Sequence, residues 1–386
     1  MSYIGAFAGS LLIAWLLTPL VGKLAVRIGA IDRESHAKVH RGNVPRMGGL
    51  VFLPVFLLAF LAKLIFMPPQ PLFSRPLSVL VGALGIIGLG IYDDLKGANA
   101  RHKFSVQIAV AALVWFLGVG FDIEQVGPPL LMQAISLGLT VFWIVLVTNA
   151  FNLIDGLDGL ASGLAVQIFL VLALGAYLHR WEGLCFLLLA LAGGVGGFWF
   201  HNRRGTIFLG DTGSLFLGYC AAIGSLYCAP QARIEHLPVG IAALSIPLLD
   251  TALSVWRRFR NGRPIFEGDL DHMHHRVIKR GFSKRRATSA ILAFSAICNG
   301  LAALMILRDS WTVPIAMVLA VVWAGFSMWI GYFKTLATML RIRHRITAFS
   351  PDSGPISLVR LNSSAIPYPL PMNARSSLES PCSQDP

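Results

Sequence analysis

Val147-Thr148-Asn149-Ala150-Phe151-Asn152-Leu153-Ile154-Asp155-Gly156-Leu157-Asp158-Gly159-Leu160 closes the uncharged apolar run 132–150 with two amides and two carboxylates. Asn149, Asn152, Asp155 and Asp158 recur at every third position. A helix continued to about Ile154 sets Asn149 and Asn152 on neighbouring parts of one face. Gly156 and Gly159 then let the backbone turn, so that both carboxylates point back at the same spot. Polar groups at the edge of an apolar span are costly unless they bind something. Hard oxygen ligands crowded together suit Mg²⁺, and Mg²⁺ suits phosphate. The competing reading is a turn whose Asn and Asp only cap helices.

The rest of the chain places that stretch at a membrane. Of 386 residues, 55% are hydrophobic and only 13% charged, against about 25% charged in an ordinary soluble domain. The mean hydropathy is +0.67. The apolar residues fall into many segments of bilayer length. We expect an all-α, polytopic membrane protein with eleven spans, near 4–22, 48–67, 77–92, 104–121, 132–150, 160–178, 183–200, 213–230, 237–255, 287–307 and 313–333. The first segment reads as a retained span, because no charged n-region or small-residue cleavage site accompanies it. Cys185, Cys220, Cys228, Cys298 and Cys382 show no metal-ligand spacing and imply no disulfide framework.

Basic residues orient the spans. With the loop after the first span inside, 27 of the 32 Lys and Arg fall on that side. The opposite side holds only Lys63, Arg75, Arg180, Arg233 and Arg308. The N-terminus is therefore expected outside and the C-terminus in the cytoplasm. The net charge of +13 reflects this loop bias and does not point to nucleic acid. Residues 1–335 form the expected membrane domain. Residues 336–386 form a cytoplasmic tail, expected to be disordered from about 350 by its Ser, Pro and Asn content.

Each expected cytoplasmic loop carries a motif. Loop 33–49 mixes Arg33, Lys38, Arg41 and Arg46 with Gly and Pro, a composition that holds anions or simply lipid headgroups. Asp93-Asp94 ends the third span, where adjacent carboxylates repel unless a cation or proton relieves them. Lys103, Ser105 and Gln107 open the fourth. Gly210-Asp211-Thr212-Gly213-Ser214 precedes the eighth, freeing N–H groups for an anion and offering one carboxylate for a metal. Its plainer alternative is an N-cap by Asp211 or Ser214. Phe208 beside it is either a stacking platform for a base or interface packing. Asp250 reads as a structural ion pair with Arg257 and Arg258. Asp271-His272-Met273-His274-His275-Arg276 lacks a completed zinc shell. With Arg263 and Arg276 beside them, the histidines read as donors to a diphosphate.

In this order and on one face, these motifs resemble the polyprenyl-phosphate N-acetylhexosamine-1-phosphate transferases over about residues 1–335. The resemblance implies transfer of a sugar 1-phosphate from a UDP-sugar to undecaprenyl phosphate, with release of UMP. It implies Mg²⁺, with Mn²⁺ as a substitute. Carried over by motif, Asp211 is the leading metal ligand, with Asn152 and Asp155. Asp93 is the residue expected to deprotonate the polyprenyl phosphate, and Asp94 to position it. Lys103, Asn149, Asn152, Asp155, Asp158, Phe208, Arg263, His272, His274 and His275 are expected at the substrates.

The spacing Asp-x-x-His-x-His-His (Asp269 to His275) resembles the GlcNAc-using branch. Asp271 departs from the uncharged polar residue common there. UDP-GlcNAc is the favoured donor; a phospho-MurNAc-pentapeptide transferase or a relative using UDP-FucNAc or UDP-QuiNAc is the alternative. The resemblance also implies the inner (plasma) membrane, with the active site on the cytoplasmic face, and leaves a homodimer open. An ion-coupled transporter would use the carboxylates as an ion site, but they cluster at the span ends and not at mid-membrane. A noncatalytic scaffold would not need Asp93, Asp94 and Asp211.

Overall fold

The computed structural model describes residues 2–32, 44–67, 76–123, 128–227, 237–262 and 271–332. Met1–Tyr332 pack as one unit. Phe333–Pro386, with the expected tail, lies outside the described residues, as do Arg263 and loop 33–43.

Each expected span falls on a helix, except 237–255, which falls on two. In chain order these are α1 (Tyr3–Arg27), α2 (Phe52–Phe66), α3 (Pro76–Lys96), α4 (Ala100–Phe116), α5 (Pro129–Ile154), α6 (Leu160–Leu178), α7 (Glu182–Asn202) and α8 (Gly210–Leu226). A broken pair follows, α9 (Leu237–Ala243) and α10 (Ser245–Arg260). The short α11 (Met273–Lys279) precedes α12 (Lys284–Leu307) and α13 (Thr312–Trp329). The protein is an all-α, multi-pass membrane protein. Among the described residues, eight helices have the length and hydropathy of a membrane span, and the broken pair makes up to nine. The helices α4 and α8 have 17 residues each. At 1.5 Å per residue they extend only about 26 Å, roughly one turn short of the hydrocarbon core.

The expected single span 237–255 is broken. The axes of α9 and α10 meet at 88°. Pro247 stands in the first turn of α10 and lacks the N–H that would bond the Ala243 carbonyl, so the ladder stops there. A proline acts differently in α1. Pro19 leaves the Trp15 carbonyl without its helical donor, and His201 Nε2 on α7 supplies one at 3.1 Å.

Burial separates centre from rim. The spanning windows of α6 and α7 are 72% and 78% buried, those of α1 and α13 only 17% and 22%. Residues of α8 from Thr212 to Leu226 are all buried. This helix packs against both α3 and α5, and α4 packs against the same two. That arrangement decides the site, because the C-terminal ends of α3 and α5 meet the N-terminal ends of α4 and α8.

The chain between α1 and α2 forms a two-residue ribbon, β1 (Ile31–Asp32) antiparallel to β2 (Val44–Pro45). Main-chain bonds tie it to the approach to α8. Phe208 N–H donates to the Pro45 carbonyl, and Gly48 and Gly49 N–H donate to Phe208 and Leu209, each at 2.9 Å.

Candidate active site

Four helix ends supply one polar cluster. At the end of α3, Asp93 Oδ1 accepts the Ala98 N–H at 2.6 Å, which closes the turn into α4. Asn99 caps α4 by accepting the His102 N–H at 2.8 Å, so Lys103 projects from the first turn. Its ammonium bridges Asp93 and Asp211, lying 2.5 Å from Asp211 Oδ2. The other Asp211 oxygen accepts from Asn152 Nδ2 at 3.0 Å, and that amide also donates to Ser214 Oγ at 3.0 Å. Asp93, Lys103, Asn152 and Asp211 are thus brought together from α3, α4, α5 and α8.

Asp94 turns away from Asp93. Its Oδ1 accepts the Asp211 N–H at 3.0 Å, and Oδ2 accepts the Thr212 N–H at 2.9 Å and the Thr212 hydroxyl at 2.7 Å. Arg46 completes the setting 3.4 Å from Oδ1. Two expectations are corrected here. The N-terminus of α8 does not offer free N–H groups to an anion, because Asp94 is that anion. Neither Asp211 nor Ser214 caps the helix; the cap arrives from α3. Gly210 makes this approach feasible: its φ is +73°, and a Cβ there would lie 2.6 Å from Asp94 Oδ2.

Next to this cluster is a cavity of about 220 Å³ lined by Asp32, Arg46, Asp155, Asp158, Phe208 and Asp211, among others. As the sequence suggests, α5 ends at Ile154 and the turn beyond it aims both carboxylates at one space. Four carboxylates face one guanidinium among the lining residues. Burial, then the charges of Asp211, Asp94 and Asp158, push the Asp155 carboxyl up to about 8, while Arg46 opposes the shift. Among the described residues no three acidic, His or Cys side chains share one metal-binding point. Asp211 spends both oxygens on Lys103 and Asn152.

Asn149 lies one turn before Asn152, and its Nδ2 is engaged by Gln107 Oε1 at 2.5 Å and the Val145 carbonyl at 2.7 Å. The histidine segment touches the cavity through one residue. A Cβ on Gly156 would collide with the His274 ring, so ring and backbone lie in contact. Burial first, then its histidine neighbours, lowers His274 to about 3, and His275 is lowered as well. His274 is uncharged at neutral pH and can act only as a neutral hydrogen-bonding group. Arg276 binds Asp271 at 2.5 Å and stacks on Tyr332, 4.8 Å from the ring centroid. The expected pairing of Asp250 with Arg257 and Arg258 gives way to one with His272 Nδ1 (2.8 Å) and the Met273 N–H (2.6 Å). The break at Leu244 sets the direction of α10, and Arg257 lies 3.7 Å from Asp271 instead.

Asn202 was not legible as a site residue. It is 3% exposed and uses both ends of its amide. Oδ1 accepts the Gly159 N–H (3.0 Å) and the Ser162 hydroxyl (2.7 Å), and Nδ2 donates to the Ile207 carbonyl (2.9 Å). It staples the loop that carries Asp158 to the loop that carries Phe208. The available signal was an amide ending an apolar span, just before Arg203-Arg204. Asp32 also lines the cavity unforeseen.

Fold and site together define a multi-pass membrane protein that gathers carboxylates, an amide and a lysine from four helices beside an anionic cavity. The glycosyl transferase family 4 profile matches residues 76–229, the stretch from Asp93 to Asp211 included. A Bacillus subtilis (strain 168) protein described as a probable undecaprenyl-phosphate N-acetylglucosaminyl 1-phosphate transferase is 38% identical over 293 residues, covering 74% of this chain and 80% of that one. A decaprenyl-phosphate N-acetylglucosaminephosphotransferase of Mycobacterium tuberculosis (strain H37Rv) is 33% identical over 348 residues, 81% of this chain and 85% of its own. The undecaprenyl-phosphate alpha-N-acetylglucosaminyl 1-phosphate transferase of Escherichia coli O157:H7 is 25% identical over 342 residues, 84% and 90%. The chain belongs to glycosyl transferase family 4, among the polyprenyl-phosphate N-acetylhexosamine-1-phosphate transferases.

Proposed function

We propose that the protein transfers GlcNAc 1-phosphate from UDP-GlcNAc to undecaprenyl phosphate at the cytoplasmic face of the inner membrane, initiating a cell-envelope polysaccharide. The observation that carries this reading is Lys103, held between Asp93 and Asp211 at the edge of the carboxylate-lined cavity. The acceptor tail stays in lipid and the nucleotide in water, so the chemistry belongs at helix ends. An acceptor phosphate oxygen attacks the β-phosphorus, the β-phosphorus–bridging-oxygen bond breaks, and UMP leaves with that oxygen. Lys103 neutralises charge on the transferring group, and Asn152 holds Asp211 in place. Asp93 takes the acceptor proton where one is present; the phosphate is already anionic, so positioning contributes more than the base. The carboxylate excess around the cavity fits a divalent cation in charge and donor chemistry. Asp211, Asp155 and the Asn152 carbonyl oxygen would hold Mg²⁺, or Mn²⁺ in its place. Bound there, the ion would neutralise the diphosphate and the departing UMP.

The test is UMP release by purified protein in lipid nanodiscs, with undecaprenyl phosphate and one UDP-sugar at a time. UDP-GlcNAc should be the preferred donor. Preference for UDP-FucNAc, UDP-QuiNAc or UDP-MurNAc-pentapeptide would reassign the sugar. No UMP from any donor would remove the transferase reading.

A further inference from the structure

A second groove, of about 560 Å³, lies between the C-terminal half of α1 and the chain that follows α7. Pro19, Gly22 and Val26 of α1 line it together with Pro45 and Ile207, and Lys23 and Arg27 stand at the same face of α1. The groove shares a wall with the active-site cavity. Pro45 lines the groove and Arg46 the cavity; Ile207 lines the groove and Phe208 the cavity. The wall is two stretches of main chain. The Phe208 N–H donates to the Pro45 carbonyl and the Gly48 N–H to the Phe208 carbonyl, each at 2.9 Å.

The lining says what fits. The spanning window of α1 is only 17% buried, so bilayer lipid reaches it. From Thr18 to Arg27 the groove follows α1 for about 13 Å, from inside the span to its last turn. Gly22 leaves open space beside it: a Cβ there would meet only Ile207 Cδ1, at 3.8 Å. Lys23 and Arg27 are exposed and one turn apart, a spacing at which like charges repel. Among the described residues no acidic side chain lines the groove, so the charge left to complement is positive.

We propose that this groove binds an anionic phospholipid, its phosphate between Lys23 and Arg27 and one acyl chain along Pro19, Gly22, Val26 and Ile207. Seated there, the lipid buttresses the wall that carries Arg46 and Phe208. The inference does not depend on which reaction the neighbouring cavity performs.

The test is native mass spectrometry of the full chain in detergent, titrated with phosphatidylglycerol or phosphatidylcholine, beside hydrogen exchange of the wall. The parent should bind its first phosphatidylglycerol at least about tenfold more tightly than phosphatidylcholine, and Lys23→Gln/Arg27→Gln should lose that preference. Gly22→Leu keeps both charges but fills the groove, and should weaken phosphatidylglycerol at least about tenfold. Arg204→Gln removes an exposed cation that does not line the groove, and should change the affinity by less than about twofold. Phosphatidylglycerol should slow exchange of the Phe208 and Gly48 amides in the parent and not in Gly22→Leu. Equal affinity for the two lipids, or parent-like binding by Gly22→Leu, would overturn the proposal, because the basic residues would then attract headgroups without a site. Displacement by an equimolar amount of undecaprenyl phosphate would overturn it too, and so would a groove closed to every lipid by residues 33–43 or by a second copy of the chain. Should Gly22→Leu fail to insert, Val26→Glu places a carboxylate at an exposed position of the groove and must abolish the same preference.

Discussion

Asp93 and Asp94 are adjacent, and replacing each with Asn should separate two different jobs. The Asp94 side chain is fully buried and accepts three bonds from the first turn of α8. Hydrogen bonds to a charged group contribute about 1.5–3 kcal/mol each. Asp94→Asn retains one oxygen, which serves Thr212 at best, and turns an NH₂ group toward the Asp211 N–H. One charge-assisted bond is lost, a buried donor is left unpaired, and the remaining bonds fall to neutral strength. A loss of roughly 3 kcal/mol follows, and at about 2 °C per kcal/mol the Tm should drop by about 5 °C or more. Asp93→Asn still accepts the Ala98 N–H and loses mainly its bond to Lys103, whose ammonium keeps Asp211. Its Tm should move by no more than about 2 °C. Both variants should lose most turnover, Asp93→Asn through chemistry and Asp94→Asn through displacement of Asp211. The assay is thermal unfolding in detergent micelles beside UMP release in nanodiscs. Parent-like melting of Asp94→Asn, or a larger loss of Tm in Asp93→Asn, would refute the division of roles.

Asp211→Asn should cut turnover at least about a hundredfold and raise the Mg²⁺ concentration needed for half-maximal rate; an unchanged Mg²⁺ profile would mean that the metal sits elsewhere. The Asp155 carboxyl is raised to about 8 from an ordinary 3.8, so its contribution to stability is fully present below about pH 4 and is lost as pH rises through about 8. Metal-stripped protein should therefore melt lower at pH 8.5 than at pH 6, added Mg²⁺ should reduce that difference, and Asp155→Asn should flatten it; solvent entering from the cavity tempers the size of the effect. A reporter fused after Arg345 should lie in the cytoplasm and one fused before Ile4 outside, and the reverse pattern would invert the assigned face.

The sequence displayed which groups are present better than which groups meet. Apolar runs of bilayer length identify helices without any long-range information, so all the expected spans but 237–255 lie on one, and the end of α5 at Ile154 follows from local composition. The bend between α9 and α10 was harder to read. Pro247 is plain in the sequence, but membrane helices tolerate proline where neighbours satisfy the freed carbonyl, as His201 does for α1. Pairings were hidden by sequence distance. Asp94 binds the start of α8 across 117 positions, and Asp250 binds His272 across 22. Each carboxylate had several nearer cations, and local spacing favours the nearer one. Asn202 was hidden because a buried amide becomes a staple only when both of its partner loops are in place.

Three of the helices, α6, α8 and α11, share one departure from local rules. Ser2, Asn99 and Ser283 cap α1, α4 and α12 from within their own sequence. The starts of α6, α8 and α11 carry no side-chain cap of their own. Asn202 from α7, Asp94 from α3 and Asp250 from α10 bond their first N–H groups instead. A helix end buried at a bilayer edge cannot leave those groups unpaired. A local Ser or Asp cap would meet the requirement while turning its own polar group inward. Capping from a neighbouring helix leaves the first-turn side chains, Asp211 above all, available to the cavity. It also links stability to site geometry, since loosening any one of these caps frees the loop that carries Asp158 or the first turn that carries Asp211 or His274. An isosteric change at a capping residue should thus impair the site and the fold together, whereas a change at Asp93 or Asp211 should impair the site first.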